Sequence, residues 1–278
     1  MLKGLMDKGL ILWKYYTKAQ TIYKVHSPFV YSFLDEVIKN DRMYYAFEIL
    51  ESHRNNLLKS KESVSFQEMG AGSKVFNNKV SKRPVSQIAQ TALAPSKQAR
   101  YLFHLVNKCS RQNVLEIGTS LGLSTLYMLS ANSKMKLTTL EGNAEVLSLA
   151  TDAFKQFGFH GVKTVLGNFD DTLQKTLESG DKYDLVYVDG NHSYEATKRY
   201  WSQILPFCTQ DAILVFDDIH WSKGMNDAWE EIKSEQQVKA SIEIYDLGFV
   251  FLDPKLAKNN FTFIDFWWKP WQIGLFLW

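Results

Sequence analysis

NVLEIGTSLGLS, residues 113–124, decides how this chain is read. Its first part, NVLEIG (113–118), is a strand candidate of apolar and β-branched residues. It breaks at Gly118 and Gly122 and opens an apolar helical run from Leu121 to Ala131. Glycines at such a turn let a ligand approach the backbone, and a helix N-terminus offers unpaired N–H groups. The spacing is not G-x-G-x-x-G, so the dinucleotide fingerprint fails and a nicotinamide oxidoreductase is set aside. An acid, Glu116, precedes the first glycine. A carboxylate there suits a cationic or amine-bearing ligand better than a pyrophosphate.

The same alternation of strand and helix repeats downstream. KLTTLEG (136–142) predicts a strand, followed by a helix from Ala144 to Phe157 that Gly158 terminates. VKTVLG (162–167) predicts a third strand, with a helix near Asp171 to Glu178. YDLVYVDG (183–190) predicts a fourth, with a helix from Tyr194 to Leu205 closed by Pro206. AILVFDD (212–218) predicts a fifth, with a helix near Met225 to Gln236. SIEIYD (241–246) and FVFLD (249–253) are separated by Leu247 and Gly248 alone, the spacing of a hairpin. Strands joined through helices by short connections imply parallel βαβ units and a doubly wound α/β sheet, with the hairpin as an antiparallel edge. Ligands of such sheets bind beyond the carboxyl ends of the strands.

The first 95 residues read as mainly helical. Ser27-Pro28 is a helix start, and Phe29, Val30, Phe33, Leu34, Val37 and Ile38 share one face. Ser86 to Ala94 and Ser96 to Lys108 are further helices, and the polar stretch from Lys59 to Arg83 is a loop or lid. The expected divisions are a helical extension at 1–95, a ligand-binding domain at 96–253 and an aromatic tail at 254–278.

Composition narrows the classes. The chain has 278 residues, with 32 Lys and Arg against 30 Asp and Glu, a net charge of +2. That balance offers no electrostatic case for nucleic acid. Cys109 and Cys208 are too few for a disulfide scaffold and fit a reducing compartment. No run approaches the roughly 20 apolar residues of a membrane span, and Met1 to Lys18 lacks the features of a signal peptide. A cytoplasmic protein is the expectation.

Glu141 closes the second strand, where a carboxylate commonly accepts both ribose hydroxyls of an adenosine. With the turn at 116–124 it defines a nucleoside site without a phosphate site, the requirement for S-adenosylmethionine. EIGTSLGLS resembles the first motif of the class I S-adenosylmethionine-dependent methyltransferases, and LEGN, with Glu141, resembles their second-strand acidic motif. The resemblance covers about residues 96–253. It implies a Rossmann-like, seven-stranded, mostly parallel sheet with an antiparallel terminal hairpin. It also implies Glu116, Gly118 and Ser124 near the methionine part, with Thr119, Ser120 and Gly122 in the same loop. Glu141 and Gly142 would meet the ribose, Asn168 and Phe169 would flank the adenine, and Asp189 would lie at the cofactor's edge.

Two further strand ends carry acids: Asp189-Gly190-Asn191-His192 and Asp217-Asp218-Ile219-His220. Three carboxylates gathered there would repel one another unless a cation or proton intervenes. Oxygen ligands suit Mg²⁺ or another divalent ion. The arrangement is similar to the metal-dependent O-methyltransferases of the catechol and caffeoyl-coenzyme-A type, which implies Asp189, Asp217 and Asp218 as metal ligands. Asp218 departs from that group's Asn. His192 stands where its catechol-type members carry a lysine base, and a histidine can take a proton from a hydroxyl near neutral pH. The plainer reading is that these residues cap and orient the helices that follow them, with His220 a loop residue.

The expected activity is O-methylation of a small hydroxylated acceptor, metal-assisted or not. The alternatives are metal-independent N- or carboxyl-methylation, and a non-catalytic assembly or membrane-surface module. Glu68 to Ser73 repeats the acid–glycine pattern, but Lys74, Lys79, Lys82 and Arg83 around it read as a solvated loop. The tail FIDFWWKPWQIGLFLW (263–278) holds four of the eight tryptophans. Packing or a homodimer through the N-terminal helices and tail is one reading, and membrane-surface contact is the other.

Overall fold

A computed structural model describes residues 2–66 and 81–273. The acid–glycine repeat at Glu68 to Ser73, Lys74 and Lys79 lies outside the described residues, as does the end of the aromatic tail (274–278). In chain order the elements are α1 (Leu2–Lys18), α2 (Pro28–Phe33), α3 (Tyr45–Lys59), β1 (Ser63–Phe66), β2 (Ser81–Pro84), α4 (Val85–Ala92) and α5 (Ser96–Cys109). There follow β3 (Asn113–Ile117), α6 (Leu123–Ala131), β4 (Lys136–Glu141), α7 (Ala144–Gln156), β5 (Lys163–Leu166), α8 (Phe169–Glu178) and β6 (Tyr183–Val188). The last are α9 (Tyr194–Ile204), β7 (Cys208–Phe216), α10 (Lys223–Ser234), β8 (Ala240–Ile244), β9 (Leu247–Phe251) and β10 (Asn259–Thr262). Eight strands, β3 to β10, belong to one mostly parallel sheet. The chain forms two compact units, Val37–Tyr183 and Met1–Glu36 with Asp184–Trp278.

In the unit Val37–Tyr183, β3, β4 and β5 run parallel. Asn113 lies opposite Lys136 and Ile117 opposite Leu140. Thr138 lies opposite Lys163 and Glu141 opposite Leu166. Val114, Leu115, Glu116 and Ile117 are all buried, as a parallel strand covered on both faces requires. Helix α6 is apolar around its circumference and is buried from Leu123 to Leu129. It packs with Phe47 and Leu50 of α3, Phe103 of α5 and Phe154 of α7. The first 95 residues also hold a feature not read from the sequence: β1 and β2 pair antiparallel, Ser63 opposite Pro84. Those strands are short and lie either side of the polar stretch, so no periodicity marks them.

In the other unit the strand order is β10-β8-β9-β7-β6. β7 and β9 are antiparallel, as are β8 and β9. The expected seven strands become eight, because Asn259–Thr262 of the tail pairs parallel with β8. The hairpin turn also moves. Ile244 pairs with Leu247, so Tyr245 and Asp246 make the turn, with Tyr245 left-handed at φ 64°. Gly248 lies inside β9 for a packing reason: a Cβ there would lie 2.5 Å from the Trp229 ring. Residues 1–36 pack within this unit. Phe33 meets the rings of Phe249 and Phe251 edge-on at 5.1 Å, and Tyr15 and Ala19 cluster with Ile264.

The two kinds of glycine should respond oppositely to a methyl group. Gly248→Ala should lower the urea midpoint by the equivalent of about 1–3 kcal/mol, the cost of overpacking. Gly9→Ala, in α1 with open space around it, should raise stability by up to about 1 kcal/mol through helix propensity.

Candidate functional site

The unit Val37–Tyr183 contributes the turn after β3. Glu116, fully buried, accepts hydrogen bonds from Ser124 Oγ at 2.6 Å, Thr139 Oγ1 at 2.7 Å and Thr125 Oγ1. Burial pushes its carboxyl up to about 7; the three hydroxyls pull downward and the Glu141 charge adds to the rise. Glu116 thus joins β3, β4 and the first turn of α6. The Ser124 hydroxyl is committed to it, and the Thr119 hydroxyl is bonded to Thr139 at 2.5 Å.

The loop between them is held open by its backbone. Gly118, Ser120 and Gly122 have φ of 102°, 47° and 79°. A Cβ at Gly122 would stand 2.7 Å from the Phe154 ring. The N–H groups of Gly118 and Thr119 donate to Leu140 O. Ser120 N–H donates to Glu141 Oε2 and Asn143 N–H to Glu141 Oε1, both at 2.9 Å. Burial raises the Glu141 carboxyl, and the N–H groups of Asn143, Ser120 and Gly142 oppose that rise. An ionised carboxylate has about four lone-pair sites. Ser120 N–H and Asn143 N–H take one site on each oxygen and Gly142 N–H also bears on the carboxylate, which leaves acceptor capacity for a ribose hydroxyl. The Ser120 hydroxyl oxygen is buried and has no partner. This orphaned hydroxyl and the remaining acceptor capacity of Glu141 fit an adenosine-bearing ligand. Asn168 caps α8, its Oδ1 accepting from Asp170 N–H at 3.0 Å, and the half-buried Phe169 begins that helix.

The other unit, taken by itself, holds the ends of β6 and β7. Asp217 N–H donates to Val188 O at 2.9 Å, which ties the two strand ends together. The Tyr187 hydroxyl is 2.6 Å from Asp217 Oδ2 and 3.2 Å from Asp189 Oδ2. Asp218 N–H donates to Asp217 Oδ1 at 2.8 Å. Burial, then the neighbouring Asp189 charge, raises the Asp217 carboxyl well above the usual range, although Tyr187 opposes the rise. His192 Nε2 is 3.6 Å from Asp189 Oδ1 and 3.8 Å from Asp218 Oδ2. Asn191 and Asp218 are both left-handed, at φ 47° and 53°. Asp189, His192, Asp217 and Asp218 are therefore brought together. His220 turns to another network: its Nε2 is 3.1 Å from Glu243 Oε1.

Tyr187 O–H and Asp218 N–H each take one site on an Asp217 oxygen, and among the described residues no group of three or more His, Cys, Asp or Glu side chains is placed to hold a metal ion. Tyr187 is the residue that sequence reading missed. Its alternation with Asp189 puts both on one strand face, but a tyrosine within YDLVYV reads as core.

Known proteins resemble this chain in part of its sequence and in its fold. Residues 115–219 match the family model described as a methyltransferase domain. A Mycobacterium leprae protein named as an O-methyltransferase is 35% identical over 109 residues, covering 38% of this chain and 47% of that protein. The catechol O-methyltransferase of Niastella koreensis is 26% identical over 125 residues, covering 44% of this chain and 56% of its own length. The chain thus spans about half the length of the curated relatives it matches. The Bacillus cereus O-methyltransferase in complex with S-adenosylhomocysteine superposes with a TM-score of 0.55 at 16% identity, over 80% of this chain and 96% of that one. Residues 115–219 thus resemble a methyltransferase domain, and the fold around them is like that of the Bacillus cereus O-methyltransferase.

Proposed function

We propose that the chain transfers the methyl group of S-adenosylmethionine to a hydroxyl oxygen of a small acceptor. The observation that carries this reading is Glu141. Two backbone N–H groups aim its carboxylate, which retains acceptor capacity for a ribose hydroxyl, beside a glycine turn that contains an unpartnered buried hydroxyl. Relatives named for O-methyl transfer support the choice of oxygen.

In this reading Glu141 binds the ribose hydroxyls, and Ser120 with the Gly118–Gly122 backbone receives the methionine end. Asn168 and Phe169 flank the adenine. Bound there, S-adenosylmethionine would supply a sulfonium methyl whose sulfur leaves as a neutral thioether. His192 takes the acceptor hydroxyl's proton as the oxygen–carbon bond forms, and the carboxylates of Asp189 and Asp218 stabilise the resulting imidazolium. Tyr187 and Asp217 hold Asp189 in place. Positioning supplies much of the acceleration in such an in-line transfer. No step is routed through a metal.

His192→Ala should lower kcat for methylation of small phenols and catechols by roughly 10²–10⁴-fold, the usual worth of a positioned base. Its affinity for S-adenosylhomocysteine should equal that of the unmodified protein. Unchanged kcat in the variant would remove the base assignment.

Glu116 predicts a pH dependence of stability. Burial pushes its folded-state carboxyl up to about 7, above the ordinary glutamate value of 4.5. Its contribution is therefore complete below about pH 4.5 and is lost as pH rises to about 7. At roughly 1.4 kcal/mol per unit, the loss is of order 3 kcal/mol. Denaturant unfolding at pH 5 to 8 should show the difference between the unmodified chain and Glu116→Gln shrinking by that order. A difference independent of pH would contradict a buried, proton-binding Glu116.

A further inference from the structure

Helix α1 carries apolar residues on opposite faces. Ile11, Tyr15 and Ala19 are buried, the last two against Ile264. At roughly 100° per residue, Met6, Leu10 and Trp13 fall on the far side, where they are exposed, Trp13 by 65%. The C-terminal segment is tied to the end of α1 and to the residues just after it. The Tyr16 hydroxyl donates to Trp268 O at 3.0 Å, Lys269 Nζ to Ala19 O at 2.7 Å and Thr21 N–H to Gln272 Oε1 at 2.8 Å. These bonds tie the segment down through the Trp268 carbonyl and the side chains of Lys269 and Gln272, while its tryptophan rings stay exposed. Trp267, Trp268 and Trp271 are 76%, 67% and 53% exposed. A folded chain that buries Trp229 and Trp201 elsewhere in this unit leaves four tryptophans in water here.

Charge selects the partner. Lys8, Lys14, Lys18 and Lys24 are exposed on this part of the chain, and Asp7 is the one acid among the first 34 residues. Lys14 and Lys18 also border a groove of about 260 Å³ with Asp227 and Glu230, the acids facing α1. A second copy seated by two-fold symmetry would set the same lysines against one another. An anionic surface would not. Tryptophan with lysine is the composition of a bilayer interface, where rings sit at headgroup depth and lysines meet acidic lipid. None of the described helices is long and apolar enough to cross a membrane.

We propose that the exposed face of α1, together with Trp267, Trp268 and Trp271, seats this protein on an anionic bilayer surface. The proposal is independent of methyl transfer. It is tested by sedimenting the full chain with phosphatidylcholine vesicles, with and without phosphatidylglycerol. Binding should require phosphatidylglycerol, weaken as salt rises and shift tryptophan emission to the blue. Joint replacement Trp267→Ser, Trp268→Ser and Trp271→Ser should weaken it at least about tenfold. Tyr45→Ser with Ile49→Ser, exposed apolar positions of the other unit, should leave it unchanged. Should the triple variant misfold, quenching of the unmodified protein's emission by brominated acyl chains reads the same contact. Absence of binding to anionic vesicles would overturn the proposal. So would binding that the tryptophan changes leave intact, or a soluble dimer that those changes separate.

Discussion

A carboxyl sealed from water organises the turn after β3. Glu116 sits in the middle of a parallel sheet, where an unpaired charge would be costly. Ser124, Thr125 and Thr139 surround it with hydroxyls. The bonds join the end of β3 to β4 and to the start of α6, so the loop between Gly118 and Gly122 has both ends anchored. Glu141 then captures the middle of that loop through Ser120 N–H. Two glutamates, 25 residues apart in sequence, hold one turn, and the left-handed backbone of that turn follows from what they demand.

Burial and partners give one residue type different charge states. Glu116 receives only hydroxyl donors, and burial lifts it to about 7. Glu243 is almost as buried, and burial alone would raise it. A hydrogen bond from His220, the Lys233 charge 2.9 Å away and the Trp229 N–H at 2.8 Å outweigh that, and its carboxyl falls to about 2. Glu243 is therefore a charged structural centre, and removal of any one partner would leave part of that charge uncompensated. Asp217 lies on the other side of the balance: burial and the Asp189 charge raise it, and one tyrosine cannot reverse them.

Much of this architecture is legible in the sequence because it is local. Each parallel strand of βαβ spacing is a short apolar run, the helices after β4, β5, β6 and β7 have side-chain caps, and EIGTSLGLS places the glycines of the turn. What escaped reading is non-local. Gly248 looked like a turn residue because of its two-residue spacing, yet the Trp229 ring requires it inside β9. β10 depends on pairing with β8, and nothing within Asn259–Thr262 announces that. The carboxylates at 189, 217 and 218 were legible as a cluster, but the donors around them were not. Tyr187 and the Asp218 N–H each take one site on an Asp217 oxygen, and only the fold brings those donors together. The tail's tryptophans left packing and surface contact open in the sequence; the structure leaves the rings of Trp267, Trp268 and Trp271 exposed.

The central claim is that Glu141 recognises a ribose diol, and one binding comparison tests it most directly. Calorimetry would measure S-adenosylhomocysteine and its analogue lacking the 2′ and 3′ hydroxyls, on the unmodified chain and on Glu141→Ala. The unmodified chain should prefer the diol by at least about tenfold, since its carboxylate loses its partners with the analogue. Glu141→Ala should bind both equally. The same preference in both proteins, or no binding of S-adenosylhomocysteine to the unmodified chain, would contradict the account.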